Sequence, residues 1–300
     1  MLNRIIEVSE ENRYVSLSRG FMVIKDESKI LGQIPLDDIS TLLLTSHGIT
    51  LSKNVLNALA EKNCITVLCG KNYVPQSMVL PVANHCFFTK NVKMQIDCSV
   101  PFKKRIWQQI VVQKIKNQSI ALKSCGKDGG ILDEIASAVK SGDQTNREGH
   151  AAKTYWRILF GKEFVRDRYA PGINALLNYG YAVMRAAMAR AICSAGLIAA
   201  LGVNHRNNLN QFCLADDFFE IYRPVVDVMV FGLNENGMNC VTPEAKKILT
   251  NLLWTNVHTK SGNSPAFQSM QYLVNSYVQA MEEKNPVIDL PVWDGTTVNG

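Results

Sequence analysis

The chain lacks most of the motifs that announce a common enzyme or membrane class. None of its eight cysteines forms a C-x-x-C pair, and no zinc-ligand spacing occurs. No glycine-rich phosphate loop opens a helix, which removes the nucleotide-hydrolysing and dinucleotide-binding classes. No short tandem repeat points to a solenoid. The longest nearly apolar run, Ala191 to Val203, has 13 residues. A bilayer-spanning helix needs about 20. Near the start, Glu7, Glu10 and Glu11 interrupt any secretory core, so the expected location is the cytoplasm with its thiols reduced. Several of the cysteines lie in apolar runs, where Cys behaves as a small hydrophobe.

What is present is an ordinary globular composition with an uneven charge. The 300 residues are 47% hydrophobic and 19% charged, enough for one large domain or two ordinary ones. The net charge of +6 is modest. Residues 1–80 hold equal numbers of basic and acidic side chains. Residues 81–168 hold 16 Lys and Arg against 8 Asp and Glu, and residues 169–300 hold 8 against 10. A basic middle segment followed by a mildly acidic one suits a metal-dependent enzyme acting on phosphodiesters. A solvated, lysine-rich helical face gives the same count.

Hydrophobic periodicity predicts an α+β protein: a small N-terminal β-rich domain followed by a larger all-α domain. Residues 1–80 read as short strands around Tyr14–Leu17, Phe21–Ile24, Ile30–Ile34, Thr41–Thr45 and Ile65–Cys69, with one helix from Ser52 to Lys62. They form a sandwich or bent sheet. Residues 81–100 read as an irregular linker. Residues 101–285 read as helices at Phe102–Lys123, Ile131–Ser141, Arg147–Phe160, Ile173–Ala195, Gln211–Val230, Pro243–Leu252 and Ala266–Glu283. Residues 286–300, with Pro286, Pro291, Gly295 and Gly300, read as a flexible tail.

The chemistry gathers in the second half. Asp216, Asp217 and Glu220 fall on one expected helix, three and four residues apart, so both aspartates can share a face with the glutamate. Clustered carboxylates raise one another's pKa unless solvent or a cation lies among them. His205 precedes them by one short loop, and imidazole beside carboxylates suits Mg²⁺ or Mn²⁺. The plainer reading is a structural His–carboxylate pair, with Glu220 tied to Arg223 three residues on. Asp217 is a second-shell carboxylate or an alternative ligand, and Asp216 faces solvent. Glu148 completes a capping box with Thr145, or is itself a ligand beside the small Gly149 and Ala152. His47, His85, His150 and His258 have no ligand-like neighbours and read as structural or surface residues.

Four segments, in order, resemble a known family: NREGHAAKTYWRILFGKEFVR around Glu148, LNYGYAVMRAAMARAICSAGL from Leu177, LGVNH ending at His205, and LADDFFEIYRPVVD from Leu214. Together they are similar to the spacer-acquisition integrase of CRISPR systems, the universal adaptation nuclease, in its type II form. The resemblance implies a metal-dependent DNA endonuclease and integrase. Such an enzyme joins short foreign DNA into the CRISPR array by 3′-hydroxyl attack on a repeat phosphodiester. It implies Glu148, His205 and Glu220 as catalytic ligands of Mg²⁺ or Mn²⁺, with Asp217 an acidic neighbour. It implies a homodimer bridged by a small companion adaptation protein, which the tail from Asn285 would dock on, and no membrane. DNA backbone would lie on the basic helices, with Lys103, Lys104, Arg105, Arg147, Arg157, Arg166 and Arg168 as candidates. Two other classes stay open on the residues: a general nuclease for branched DNA, and a non-catalytic nucleic-acid-binding scaffold in which the acids only hold helices together.

Overall fold

The computed structural model describes residues 4–27, 29–70, 75–81, 85–260 and 262–296. The chain divides into two compact units, Met1–Cys86 and Phe87–Gly300.

The first unit is two four-stranded sheets sharing one core. One sheet runs β1 (Arg4–Val8), β5 (Ile39–Leu44), β7 (Ile65–Cys69), β8 (Pro75–Val79), with the first three parallel and β8 antiparallel. The other runs β4 (Lys29–Pro35), β3 (Phe21–Asp26), β2 (Arg13–Ser18), β6 (Thr50–Leu51), a meander in which β6 joins parallel. Helix α1 (Lys53–Glu61) starts where the Ser52 hydroxyl caps Val55 N, and it makes the crossover between the parallel strands β5 and β7. Val15, Met22, Leu42, Val55 and Leu59 are buried together in the core. β1 and β8 escape the periodicity because Arg4 and Glu7 interrupt one and Pro75, Gln76 and Ser77 dilute the other.

The second unit is helical. Its elements are α2 (Phe88–Asp97), α3 (Val100–Ser124), α4 (Gly130–Ser137), α5 (Arg147–Leu159), α6 (Ile173–Ser194), α7 (Cys213–Phe219), α8 (Arg223–Glu235), α9 (Pro243–Thr250) and α10 (Ala266–Glu282). A small hairpin, β9 (Asn256–Thr259) with β10 (Gly262–Pro265), precedes α10. α6 is the central helix, with 16 of its residues buried and α7, α8, α9 and α10 around it. Gly180 lets α8 approach α6, since a Cβ there would lie 2.5 Å from Val226 Cγ1. α3 crosses the unit and packs on α4, α5 and α8.

Three expectations need correction. The stretch expected to be an irregular linker, 81–100, contains α2, whose buried Asn91 and Gln95 are polar and so broke the apolar pattern. The helix expected over Gln211–Val230 is α7, a 3₁₀ turn at Glu220–Tyr222, and α8. Pro224 has no N–H to give the Glu220 carbonyl four residues back, and the Arg223 N–H takes that carbonyl instead. The expected order, a strand-rich unit followed by a helical one, holds, with the short β9–β10 hairpin inside the helical unit. The tail expected to be flexible is packed as far as residue 296. Ile288 and Trp293 are buried, Gln109 bonds both Pro286 O and Ile288 N, and Val292 pairs with His258 through two backbone hydrogen bonds. Residues 297–300 lie outside the described residues.

Candidate active site

Three pieces of chain converge on the Glu148 and Glu220 carboxylates. Glu148 is in the first turn of α5. Its backbone N–H and that of Arg147 are taken by the two Asp143 carboxylate oxygens, at 3.0 and 2.8 Å, and the Asn146 side chain caps Gly149 N at 3.1 Å. Asp143 and Asn146 therefore cap this helix, and the expected Thr145–Glu148 capping box does not form. Glu148 is left free to reach Lys114 on α3, at 2.6 Å between Nζ and Oε1. Glu220 lies on the 3₁₀ turn, which Asn117 of α3 fixes by donating to Ile221 O at 2.7 Å. Glu220 Oε2 is also 2.6 Å from Lys114 Nζ, and Oε1 is 3.0 Å from Arg223. Glu220 Oε2 is buried and takes no aligned hydrogen bond, so its contact with the ammonium satisfies charge without direction.

One buried ammonium thus serves two carboxylates. Burial alone would lower the Lys114 pKa; Glu220 and Glu148 outweigh that and hold it above the ordinary lysine value. Burial alone would raise the Glu220 pKa; Arg223 and Lys114 outweigh it and hold the carboxyl below the usual range. Arg223 is itself packed over the rings of Tyr181 and Phe219, 5.0 and 5.1 Å from their centres.

The three acids of the second-half cluster have separate partners. Asp216 makes a two-pronged pair with Arg185, at 2.6 and 2.7 Å, and accepts from Asn210. It does not face solvent freely, being part-buried, and it anchors the loop before α7. Asp217 is fully buried and serves the 203–205 loop. Its Oδ2 accepts Val203 N at 2.6 Å and Asn204 N at 3.0 Å; its Oδ1 accepts His205 N at 3.2 Å and meets His205 Nδ1 at 2.6 Å. Burial raises the Asp217 carboxyl's pKa against the pull of these donors. The hydrogen bond that His205 Nδ1 donates to the Asp217 carboxylate in turn raises the His205 pKa.

His205 is the open end of the site, with 41% of its side chain exposed. The Trp107 ring of α3 meets it edge-on, with centroids 5.7 Å apart. With Nδ1 on the Asp217 carboxylate, the neutral ring carries its lone pair at Nε2, the arrangement seen where a carboxylate orients a ligating histidine. The loop that carries it leaves no room for error. A Cβ at Gly202 would lie 2.5 Å from His205 O and 2.9 Å from Asp217 Oδ2. Upstream, Gln95 of α2 donates to Ile198 O and Leu201 O, both at 2.9 Å, and accepts Ile198 N at 3.0 Å.

The structure therefore joins Glu148 with Glu220 through Lys114 and joins His205 with Asp217. Among the described residues, no three His, Cys, Asp or Glu side chains form one metal-holding group. The donor chemistry, two carboxylates and an imidazole nitrogen, fits a hard divalent ion such as Mg²⁺ or Mn²⁺. The two carboxylates already share one cation position, and Lys114 fills it.

Sequence reasoning missed Lys114, Trp107, Asn117, Gln95 and Arg185. Lys114 had a signal: a charged residue on the apolar face of α3, between Val111 and Ile115. Of the basic DNA candidates, Lys104, Arg105, Arg157 and Arg168 are exposed, and Lys103 and Arg147 are half-buried. Arg166 is already committed, to Asn174 at 2.9 Å and Asn178 at 2.6 Å.

Fold and site define a two-unit protein, strands first and helices second, with a carboxylate pair and an oriented histidine in the helical unit. Residues 6–242 match the family described as CRISPR associated protein Cas1, and the chain belongs to that family. It is 36% identical over 276 residues, 90% of each chain, to the CRISPR-associated endonuclease Cas1 of Neisseria meningitidis serogroup C. Among solved structures, it is similar to a casposase bound to integration product, at TM-score 0.81 and 19% identity, covering 99% of this chain and 96% of that one. It is also similar to a chain of a Cas6-RT-Cas1–Cas2 complex, at TM-score 0.76 and 19% identity, covering 95% of this chain and 35% of that one. At those identities the two structures speak for the fold.

Proposed function

We propose that this protein is the DNA endonuclease and integrase of a CRISPR adaptation system, dependent on Mg²⁺ or Mn²⁺. The observation that carries the reading is the convergence of Glu148 and Glu220, from separate elements, on one cation position, in a chain 36% identical to a curated Cas1 endonuclease. The reaction is a transesterification. The 3′-hydroxyl oxygen of a short DNA forms a bond to a repeat phosphorus, and the repeat's own P–O3′ bond breaks, with no nucleotide cofactor. With water as nucleophile the same site cleaves DNA.

Glu148, Glu220 and His205 would hold the ion, which supplies charge stabilisation at the phosphoryl oxygens. Asp217 holds the His205 ring in one tautomer and one orientation. Arg223 and Lys114 hold the buried Glu220 carboxyl below the usual range, and Lys114 also pairs with Glu148. The exposed Lys104, Arg105, Arg157 and Arg168 serve DNA backbone, through contacts that carry no sequence information. The working assembly is a homodimer joined by a small Cas2-type companion, in keeping with the Cas1–Cas2 complex among the structural neighbours. No helix among the described residues is long and apolar enough to cross a membrane.

The test is strand transfer in Mn²⁺ or Mg²⁺, with a short duplex bearing free 3′-hydroxyls, a supercoiled plasmid carrying a CRISPR repeat, and the companion protein. Joined products are expected from the wild type and not from His205→Ala or Glu220→Ala. Cleavage without joining would point to the general nuclease. Unaltered joining by both variants would refute the site.

A further inference from the structure

A buried lysine between one buried and one part-buried glutamate is an unusual occupant for a pair of metal-binding carboxylates. Lys114 is the only charged residue that α3 buries. Only 9% of its side chain is exposed, against 24% for Glu148 and 6% for Glu220. The carboxylates come from α5 and from the 3₁₀ turn, so nothing in their own segments neutralises them jointly. Arg223 meets the opposite oxygen of Glu220. Both carboxylates reach the same ammonium, so without a cation between them they would repel.

The distances allow an exchange of cations. Each carboxylate oxygen lies 2.6 Å from Nζ. A small divalent ion takes carboxylate oxygens at about 2.0–2.1 Å, so each would close in by only about 0.5 Å. The ammonium and the ion cannot share the position. The lysine stem is flexible, so the head can leave while the stem stays packed.

We propose that Lys114 is the resident counter-ion of the Glu148–Glu220 pair in the metal-free protein, and that a divalent ion binds by displacing its ammonium. This rests on the reading above that the two glutamates hold metal. The pair is then held in place before the metal arrives, at the expense of metal affinity. A salt bridge with a purely structural role would instead stay closed whatever metal is added.

Two measurements test it, both independent of DNA chemistry. The first is reductive methylation of the wild-type protein, read at Lys114 by mass spectrometry. Protection in EDTA and at least tenfold faster labelling in saturating Mn²⁺ is the expected result, with Lys123 and Lys260 as unchanged references. The second is calorimetric Mn²⁺ binding to wild type, Lys114→Met and Glu148→Gln. Lys114→Met should bind at least tenfold more tightly, and Glu148→Gln should bind far more weakly. Lys114 remaining protected while Mn²⁺ binds in a Glu148-dependent way would overturn the displacement and leave the metal reading standing. Equal affinity of Lys114→Met and wild type would do the same. Binding insensitive to Glu148→Gln would remove the metal reading, and the proposal with it. If Lys114→Met does not fold even in Mn²⁺, the labelling of the wild type decides.

Discussion

Replacing Asp217 by asparagine keeps the shape of a fully buried side chain and removes one acceptor oxygen. In the native protein the two carboxylate oxygens serve three backbone N–H groups, of Val203, Asn204 and His205, and the Nδ1 of His205. The new NH₂ must face one of these two sets. Two backbone N–H groups cannot turn into acceptors, whereas an imidazole can, by moving its proton from Nδ1 to Nε2. The amide therefore settles with its NH₂ toward His205. One backbone bond is lost outright, and the bonds to Val203 and Asn204 lose their charge. At about 1.5–3 kcal/mol for a hydrogen bond to a charged group, the helical unit should lose about 3–5 kcal/mol. All four tryptophans lie in this unit and Trp107 touches His205, so fluorescence-detected urea unfolding reads the right part of the chain. The loss should depend on pH. Asp217 raises the His205 pKa above the unfolded value of about 6.5, so this contribution is whole below that value and fades as pH rises through the folded one. Because 41% of the ring is exposed, solvent screening keeps this part the smaller share. Nitrogen NMR of His205 should show the proton moved to Nε2, and strand transfer should fail even under conditions where the variant is folded. A loss below about 1 kcal/mol would refute the clamp, given the typical worth of even one such bond. An unchanged tautomer would refute its action on the histidine.

Asp227 carries a second pH signature. It is buried, held by Tyr155 at 2.9 Å and Tyr181 at 2.5 Å, and burial pushes its pKa up to about 7. A raised folded pKa means stability that is whole below about pH 4 and lost as pH climbs to 7, on the order of 3–4 kcal/mol. Asp227→Asn should flatten that slope in denaturant titrations between pH 5 and 8 and be the more stable protein at pH 8; equal slopes would remove the assignment. Trp293→Ala should cost about 3–5 kcal/mol, because the ring is 1% exposed, and truncation after Asn285 should lower the melting temperature. An unchanged melting temperature after truncation would return the segment to the role of a free tail. Gly202→Ala should cost at least about 1–3 kcal/mol of overpacking and displace the His205 loop, lowering strand transfer more than Mn²⁺ binding at the glutamates.

The helices legible in the sequence were those that bury one apolar stripe, such as α3, α5 and α10. What escaped has a common cause: polar residues bought into the interior by specific partners. α2 reads as irregular because Asn91 and Gln95 are buried on backbone groups of Ala195, Ile198 and Leu201. The final segment reads as flexible because its prolines and glycines outweigh, in composition, the two side chains, Ile288 and Trp293, that reach the core. Composition sees the breakers and not the anchors.

The site shows the same division more sharply. Glu148, His205, Asp217 and Glu220 were named through the family resemblance of the segments that carry them, and their local partners could not be read that way. Spacing put Asp216, Asp217 and Glu220 on one helical face, where like charges would have to tolerate each other. The fold removes that conflict by giving each acid its own cation or donor set: Arg185 for Asp216, the 203–205 backbone and His205 for Asp217, Lys114 and Arg223 for Glu220. Every one of these partners except Arg223 is distant in sequence, so no local pattern could have named it. A charged residue on a buried stripe, like Lys114 between Val111 and Ile115, is the one trace such a partner leaves. It says that a buried opposite charge exists elsewhere in the chain, and here that charge is the pair on which the proposed chemistry depends.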